Sequence, residues 1–273
     1  MSHTTSVELS PLGSTTEYKN TYDAALLYPI ARYPEGQEKH FKGVDIWNAY
    51  EVSWLNAKGK PIVRLAEFRI AANSKNLVES KSFKLYLNSF NLTRFETEAE
   101  VVALMQKDLA KVVEGEVKVN FYQLDKAPVF GQFAGFCLDN LDVDIEDYTP
   151  NAALLTNGLV DDGKVDDVEE VLYSHLLKSN CPVTGQPDWA TVGISYQGPE
   201  INREGLLKYL VSYREHGDFH EHCVEQIFSD ILAQCKPNSL SVYARYVRRG
   251  GLDINPFRST EDIDPENMRL SRQ

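Results

Sequence analysis

Covalent and proton-transfer chemistry in this chain falls to four cysteines, six histidines and a few carboxylates. Cys181 lies in Ser179-Asn-Cys-Pro-Val-Thr-Gly-Gln-Pro-Asp-Trp189, a run of turn formers ahead of a strand pattern. A thiol on such a loop is accessible, as a nucleophile must be; read alone, it is equally a bystander. Cys223 and Cys235 fall in the apolar stripe of a helix, and Cys137 follows the aromatic run Phe133-Ala-Gly-Phe136, so these three read as core. Asp188 is placed to move protons to and from sulfur or substrate, or simply to stabilise its turn. His220 and Glu221, in Gly217-Asp-Phe-His-Glu-His222, open a helix. There an imidazole can shuttle protons near neutral pH and a carboxylate can accept hydrogen bonds from a heterocycle edge; capping and dipole roles are the plainer alternative. His216 and His222 read as surface residues.

A second cluster, Glu79-Ser-Lys-Ser-Phe-Lys84, opens an earlier helix. Lys81 and Lys84 are three apart and share a face, which fits phosphate groups, and the helix N-terminus adds anion affinity. A solvated charged face is the bland reading. Near the end of the chain, Arg245, Arg248, Arg249 and Arg258 surround Gly250-Gly251. From Lys236 to Arg258 there are five basic residues and one acid, a local patch suited to a phosphate-bearing ligand. Neither G-x-G-x-x-G nor G-x-x-x-x-G-K-[ST] occurs, so any nucleotide is held another way. No Cys or His pair has finger or ribbon spacing, so no metal ligand set is expected.

The elements that must position these residues repeat. Ser82-Phe-Lys-Leu-Tyr-Leu-Asn-Ser-Phe90 aligns with Gly205-Leu-Leu-Lys-Tyr-Leu-Val-Ser-Tyr213, Tyr, Leu and Ser matching in place, and Gly59-Lys-Pro61 aligns with Gly185-Gln-Pro187. Each copy continues into a second helical pattern, Thr97 to Val113 (Val101, Met105, Leu109, Val112) and Glu221 to Cys235 (Val224, Ile227, Phe228, Ile231). Thr97 and Glu100 have capping-box spacing. Ala190, Val192, Ile194 and Tyr196 alternate with polar or small residues, as do Leu240 to Tyr246 and Val117 to Phe121, which marks half-buried strands. Gly250-Gly251 turns the last hairpin. Strands grouped about helix pairs, without strict alternation, indicate an α+β fold with antiparallel sheets. At this period one domain is duplicated, not a solenoid.

Composition sets the limits. The chain has 273 residues, 42% hydrophobic and 25% charged, with net charge −12. No apolar run reaches the ~18 residues of a membrane span, and the N-terminus lacks the pattern of a secretory signal. Free thiols in a reducing cytoplasm are expected. Residues 138–170 hold eleven acids and one lysine, leaving the remainder near neutral; with Asn-Gly at 157–158 and Asp-Gly at 162–163 the stretch reads as a linker. The expected organisation is a frayed 1–20, an N-terminal module over 21–137, a linker over 138–170 and a C-terminal module over 171–273. Bulk nucleic-acid binding, which needs many phosphate contacts, is disfavoured by the overall charge.

Together these segments resemble the QueF nitrile reductases that make 7-aminomethyl-7-deazaguanine. The resemblance rests on Glu79-Ser-Lys-Ser-Phe-Lys-Leu-Tyr86, the Cys181 loop with Asp188, Phe219-His220-Glu221, and Arg248-Arg-Gly-Gly-Leu-Asp-Ile-Asn-Pro256. It implies tandem tunnelling-fold (T-fold) modules related to GTP cyclohydrolase I, a homodimer, and reduction of 7-cyano-7-deazaguanine by two NADPH on the way to queuosine in tRNA. It further implies a thioimide on Cys181, proton transfer by Asp188 and His220, and substrate binding by Glu79, Phe219 and Glu221. NADPH falls to Ser80, Lys81, Lys84, Arg248, Arg249 and Gly250. Two other classes compete: a cysteine hydrolase of nitriles or amides, which needs no hydride donor, and a non-catalytic purine- or pterin-binding module. A zinc cyclohydrolase is disfavoured, because Cys181-x-x-Thr184 lacks the histidine such a site needs.

Overall fold

Two hydrophobic cores form, one for each copy of the repeat. The computed structural model describes residues 18–34, 40–126, 130–158 and 165–273. The expected fraying of 1–17 and the Asp-Gly turn at 162–163 lie outside them. The chain divides into one unit of 1–39, 44–128 and 248–254 and a second of 40–43, 129–247 and 255–273.

The first unit contains β1 (Pro29–Ala31), all but the first two residues of β2 (Lys42–Asn56), β3 (Pro61–Ala71), β4 (Asn76–Val78), α1 (Ser80–Ser89), β5 (Arg94–Phe95), α2 (Glu98–Val113) and β6 (Val117–Tyr122). β3 pairs antiparallel with β2 and β6, and β1 pairs with β4. The second contains β7 (Phe136–Cys137), β8 (Asp167–Ser174), β9 (Lys178–Asn180), β10 (Pro187–Pro199), α3 (Arg203–Val211), α4 (His220–Cys235), β11 (Ser239–Tyr246) and the end of β12 (Leu252–Ser259). β10 pairs antiparallel with β8, β9 and β11, β11 with β12, and β7 runs parallel to β8. The α+β expectation with antiparallel-rich sheets therefore holds. Among the described residues, no helix is long and apolar enough to cross a membrane.

The repeat is structural. Gly59 (φ 81) and Gly185 (φ 68) each turn the chain into a long strand that begins at proline; this backbone region is nearly free of steric cost only for glycine. Tyr86 and Tyr209 are both fully buried. Tyr86 OH donates to Asp108 Oδ2 at 2.8 Å, and Tyr209 OH donates to Asp230 Oδ2 at 2.6 Å. Each bond ties one helix of a pair to the other. A hydrogen bond to a charged group contributes about 1.5–3 kcal/mol, enough to preserve both partners. The matched serines bond back into their own helix, Ser89 Oγ to Tyr86 O and Ser212 Oγ to Tyr209 O, both at 2.6 Å.

Helix signals are met with small shifts. Thr97 caps α2 by accepting from Glu100 N. Glu100 returns its carboxylate to Glu96 N, not to the cap itself. The buried stripe of α2 is Val101, Met105, Leu109 and Val113, with Val112 partly buried against the same core. Within 138–170, Leu138 and Leu155 are buried in the second core, and Leu141, Val143 and Ile145 pack against it. The acidic side chains of that stretch alternate with apolar ones that the net charge conceals.

Candidate active site

Local backbone pairing brings the second unit's reactive groups together. β9 lies beside the start of β10, with Asn180 opposite Pro187 and Ser179 opposite Asp188. Cys181 opens the intervening turn: its N–H donates to Gln186 O at 2.9 Å and its C=O accepts from Gly185 N at 3.0 Å. On the other side, Asn180 N donates to His216 O and Asp218 N to Asn180 O. The segment leading into α4 is thereby fixed alongside the cysteine turn. His220 begins α4, and its Nε2 lies 3.3 Å from Asp188 Oδ2. The imidazole stacks flat on Tyr246 of β11, centroids 3.8 Å apart and planes 1° from parallel. Among the described residues, His220 Nδ1 has no hydrogen-bond partner, which leaves it available to a ligand or water.

The thiols separate by environment. Cys181 is buried, 7% exposed, which corrects the expectation of an open loop thiol. Its turn is closed by its own hydrogen bonds and flanked by β9 and the 216–218 segment. Cys223 and Cys235 are fully buried core residues, as expected. Burial pushes the Cys235 thiol up to about 11 and the Cys223 thiol higher still, the latter assisted by the Asp218 charge. Cys137 is not core: it is only half-buried, beside an exposed Phe136, because its two-residue strand lies at the sheet edge.

Glu221 is buried in the first turn of α4, and Phe219, half-buried, caps that helix without a side-chain bond. Tyr246 and Asp218 escaped the sequence reading as site residues. The period-two pattern of β11 does place Tyr246 on the core face with Leu240, Val242 and Ala244. His216 and His222 are not plain surface residues. His216 is half-buried, with its pKa lowered by burial. His222 Nδ1 lies 3.0 Å from Asp218 Oδ1. Burial opposes charge on His222, but the Asp218 hydrogen bond and charge outweigh it and its pKa is raised. Asp218 is likewise disfavoured by burial, yet held below the usual carboxylate range by His222 and the Phe219 N–H.

This pair has a definite pH signature. His222's contribution is fully present below its unfolded value near 6.5 and lost as pH rises through its higher folded value. Asp218's is present above about 3.8 and lost as pH falls through its lower folded value. Asp218→Asn, which retains the Oδ1 acceptor for Phe219, is expected to destabilise by about 1 kcal/mol at pH 5, discounted for partial exposure. The difference shrinks toward pH 9 in urea unfolding; a pH-independent difference would contradict the pairing.

The first unit carries the second cluster. Glu79 caps α1, accepting from Lys81 N through Oε1 and from Ser82 N through Oε2, each at 2.7 Å. Burial raises its pKa against the opposing pull of those N–H groups and of Lys84 and Lys81. The anion affinity expected of this helix start is therefore spoken for: a carboxylate of the chain itself occupies two of its N–H groups. Ser80, Lys81 and Lys84 are half-buried in the first turns of α1. Lys84 lies along Gly250 (φ 59), where a Cβ would come within 3.2 Å of Cε and 3.4 Å of Nζ. Arg248 is exposed, its guanidinium 4.8 Å from the Tyr50 ring centroid, and Arg249 is half-buried. Asp253 holds this turn to β2 through Asn48 Nδ2, at 2.8 Å, and Tyr50 OH.

Arg245 and Arg258 do not belong to the patch. Both are buried in the second unit, Arg245 on Gln273 and Asn267 and Arg258 on Glu225. Their strands carry them into the interior, where internal acceptors compensate the charge.

On an α+β fold, a buried thiol opens the turn between two strands, and the carboxylate–imidazole contact of Asp188 and His220 lies at the start of the second strand; such residue types are those of covalent catalysis through sulfur. Residues 18–121 match the family model described as the N-terminal part of the nitrile reductase 7-cyano-7-deazaguanine reductase, and residues 187–265 match that of QueF-like proteins. Proteins named NADPH-dependent 7-cyano-7-deazaguanine reductase are similar throughout. That of Hydrogenovibrio crunogenus is 51% identical, covering 99% of each chain. That of Dechloromonas aromatica is 53% identical, covering 97% of this chain and 95% of its own. That of Chromohalobacter salexigens is 52% identical, covering 98% of each. A crystal structure of an archaeosine synthase QueF-Like in the apo form overlaps 37% of this chain and 99% of its own, at TM-score 0.32 and 18% identity; that likeness is too low to bear on the fold. The chain belongs to the 7-cyano-7-deazaguanine nitrile reductase family.

Proposed function

We infer that this protein reduces the nitrile of 7-cyano-7-deazaguanine to the primary amine with NADPH, a step toward queuosine in tRNA. The observation that carries the reading is the contact of buried Asp188 with half-buried His220, 3.3 Å apart, on the strand that follows the Cys181 turn, in a chain about half identical to the reductases over nearly its whole length. The repeated strand–strand–helix–helix–strand order supports two tunnelling-fold modules in tandem. Assembly as a homodimer and a cytoplasmic setting complete the reading.

Cys181 Sγ bonds to the nitrile carbon, and the thiol proton passes through Asp188 to the nitrile nitrogen, giving a thioimide. One hydride and one proton reduce it to an aminothioether. Breaking its C–S bond restores the Cys181 thiol and leaves an imine. A second hydride and proton give the amine. Four electrons and two protons from solvent balance the sequence. His220 holds Asp188 in place and relays protons in the later steps; stacking on Tyr246 keeps the ring from rotating. Burial of Cys181 and Asp188 keeps out the water that would hydrolyse the imine. Glu221 accepts hydrogen bonds from N–H groups of the deazaguanine, and Phe219 offers an aromatic wall. Glu79 is a further acceptor, each carboxylate oxygen retaining a lone pair beyond its capping bond.

The first unit's residues fit a phosphorylated nucleotide. Lys84, Arg248 and Arg249 gather at a glycine turn where a Cβ would crowd the Lys84 side chain. Cations there suit the 2′-phosphate, and Ser80, Lys81 and Gly250 complete the set. NADPH, when bound, supplies hydride.

The test is stoichiometry. Purified protein with 7-cyano-7-deazaguanine is expected to oxidise two NADPH per amine formed, by absorbance and product mass. Release of acid or amide without NADPH would make it a hydrolase, and binding without turnover a binding module. Asp188→Ala is expected to lower kcat by about 10²–10⁴-fold, the usual worth of a positioned proton-transfer group; unchanged kcat would remove Asp188 from the mechanism.

A further inference from the structure

Away from Cys181, three side chains of different chemistry converge at the edge of the second unit's sheet. β7 runs parallel to β8, with Cys137 opposite Tyr173. That register carries Asp139, in the turn after β7, to the level of His175 just beyond β8. One ligand atom each from Cys137, Asp139 and His175 lie within 4.8 Å of one another. The grouping is held from behind. Ser174 Oγ donates to Asp139 Oδ1 at 2.6 Å, and His175 N donates to Asp139 Oδ2 at 3.0 Å. His175 Nδ1 lies 2.9 Å from Thr191 Oγ1, and its ring meets Tyr173 edge-on at 5.5 Å. An imidazole oriented through one nitrogen, beside a carboxylate oriented by hydroxyl and amide, is the usual outer support of a metal site.

We propose that Cys137, Asp139 and His175 bind a thiophilic divalent cation, zinc first, which clips the 136–140 segment to the end of β8. Thiolate, imidazole and carboxylate together suit zinc and not magnesium or calcium, which take oxygen ligands. Three protein ligands leave a fourth tetrahedral position for water. Zinc–ligand bonds of about 2.0–2.3 Å require the three atoms to draw somewhat closer, which the exposed His175 and the half-buried Cys137 and Asp139 permit. Charge also balances. Thiolate and carboxylate neutralise the dication, while the nearby Arg272 guanidinium is engaged by His175 O, Ala190 O and Thr191 Oγ1 at 2.9–3.1 Å. The site takes no part in nitrile reduction and does not depend on that assignment.

Cobalt(II) is the probe, because a bound thiolate gives it a near-ultraviolet charge-transfer band and tetrahedral geometry gives intense visible bands. The chelator-treated Cys181→Ala protein, with the reactive thiol removed, is titrated with cobalt and then zinc. One cobalt per chain with a thiolate band, displaced by zinc, is expected. The band disappears in the added Cys137→Ser variant, and affinity falls at least tenfold in His175→Gln, each with unchanged circular dichroism. No band in the parent, or a band surviving Cys137→Ser, overturns the proposal. Should Cys137→Ser misfold, His175→Gln alone decides: undiminished affinity there also overturns it.

Discussion

Cys181→Ala is expected to abolish both the covalent adduct with 7-cyano-7-deazaguanine and NADPH oxidation, the latter by at least about 10³-fold. A nitrile carbon needs a strong nucleophile, and no other thiol can take the place of Cys181. Cys223 is fully enclosed, and Cys235 is both enclosed and held near 11 by burial. Cys137 lies instead with Asp139 and His175. Intact mass after incubation without NADPH is the measurement. The parent gains the mass of one substrate, because addition of a thiol to a nitrile loses no atoms, and Cys181→Ala gains none. An adduct persisting on the variant would move the nucleophile elsewhere. The substitution trims one sulfur at the start of a turn that the main-chain bonds of Cys181 to Gln186 and Gly185 close; an unchanged urea midpoint would show that unfolding does not explain the loss.

Glu225→Ala is expected to cost about 3–5 kcal/mol of stability, because it strands a buried cation. Arg258 Nη2 and Nε donate to Glu225 Oε1 at 2.7 and 3.1 Å, joining β12 to α4. Their side chains are 0% and 4% exposed, and the guanidinium also lies 5.1 Å from the Phe41 centroid. Against a typical total of about 5–15 kcal/mol, the loss is visible in any denaturant titration. The double variant Glu225→Met with Arg258→Met removes both charges and fills the space, so it is expected to recover most of the loss. A single-variant cost below 1 kcal/mol would show that the pair is not excluded from water.

The two predictions differ in how far the sequence foretells them. Cys181 stood out because its neighbours are turn formers, and turn chemistry is local. The Glu225–Arg258 pair did not. Arg258 read as one cation of a basic patch, since clustering along the chain says nothing about which face of a strand a residue occupies. Arg245 misled in the same way. Exposure of Cys181 was misjudged because a turn's own composition does not reveal the segment packed beside it, here 216–218.

What the sequence by itself determined is what depends on short range. The four helices, the strands at 117–121, 190–196 and 240–246 and the turn glycines follow from periodicity and from backbone freedom at Gly59 and Gly185, whereas the long strands Lys42–Asn56 and Pro61–Ala71 were not read. The internal sequence repeat was legible because the same two jobs recur: Tyr86 and Tyr209 reach an aspartate on the partner helix, and Ser89 and Ser212 bond back to the tyrosine carbonyls. Tertiary structure alone decided which distant groups meet. Asp188 faces His220 because β9 bonds to the segment before α4; His220 is fixed because β11 presents Tyr246 beneath it; and Cys137 meets His175 because a two-residue strand chose the parallel edge of β8. Hydrogen bonds between strands are blind to side-chain identity, so the register that creates each meeting is set by the packing of whole sheets.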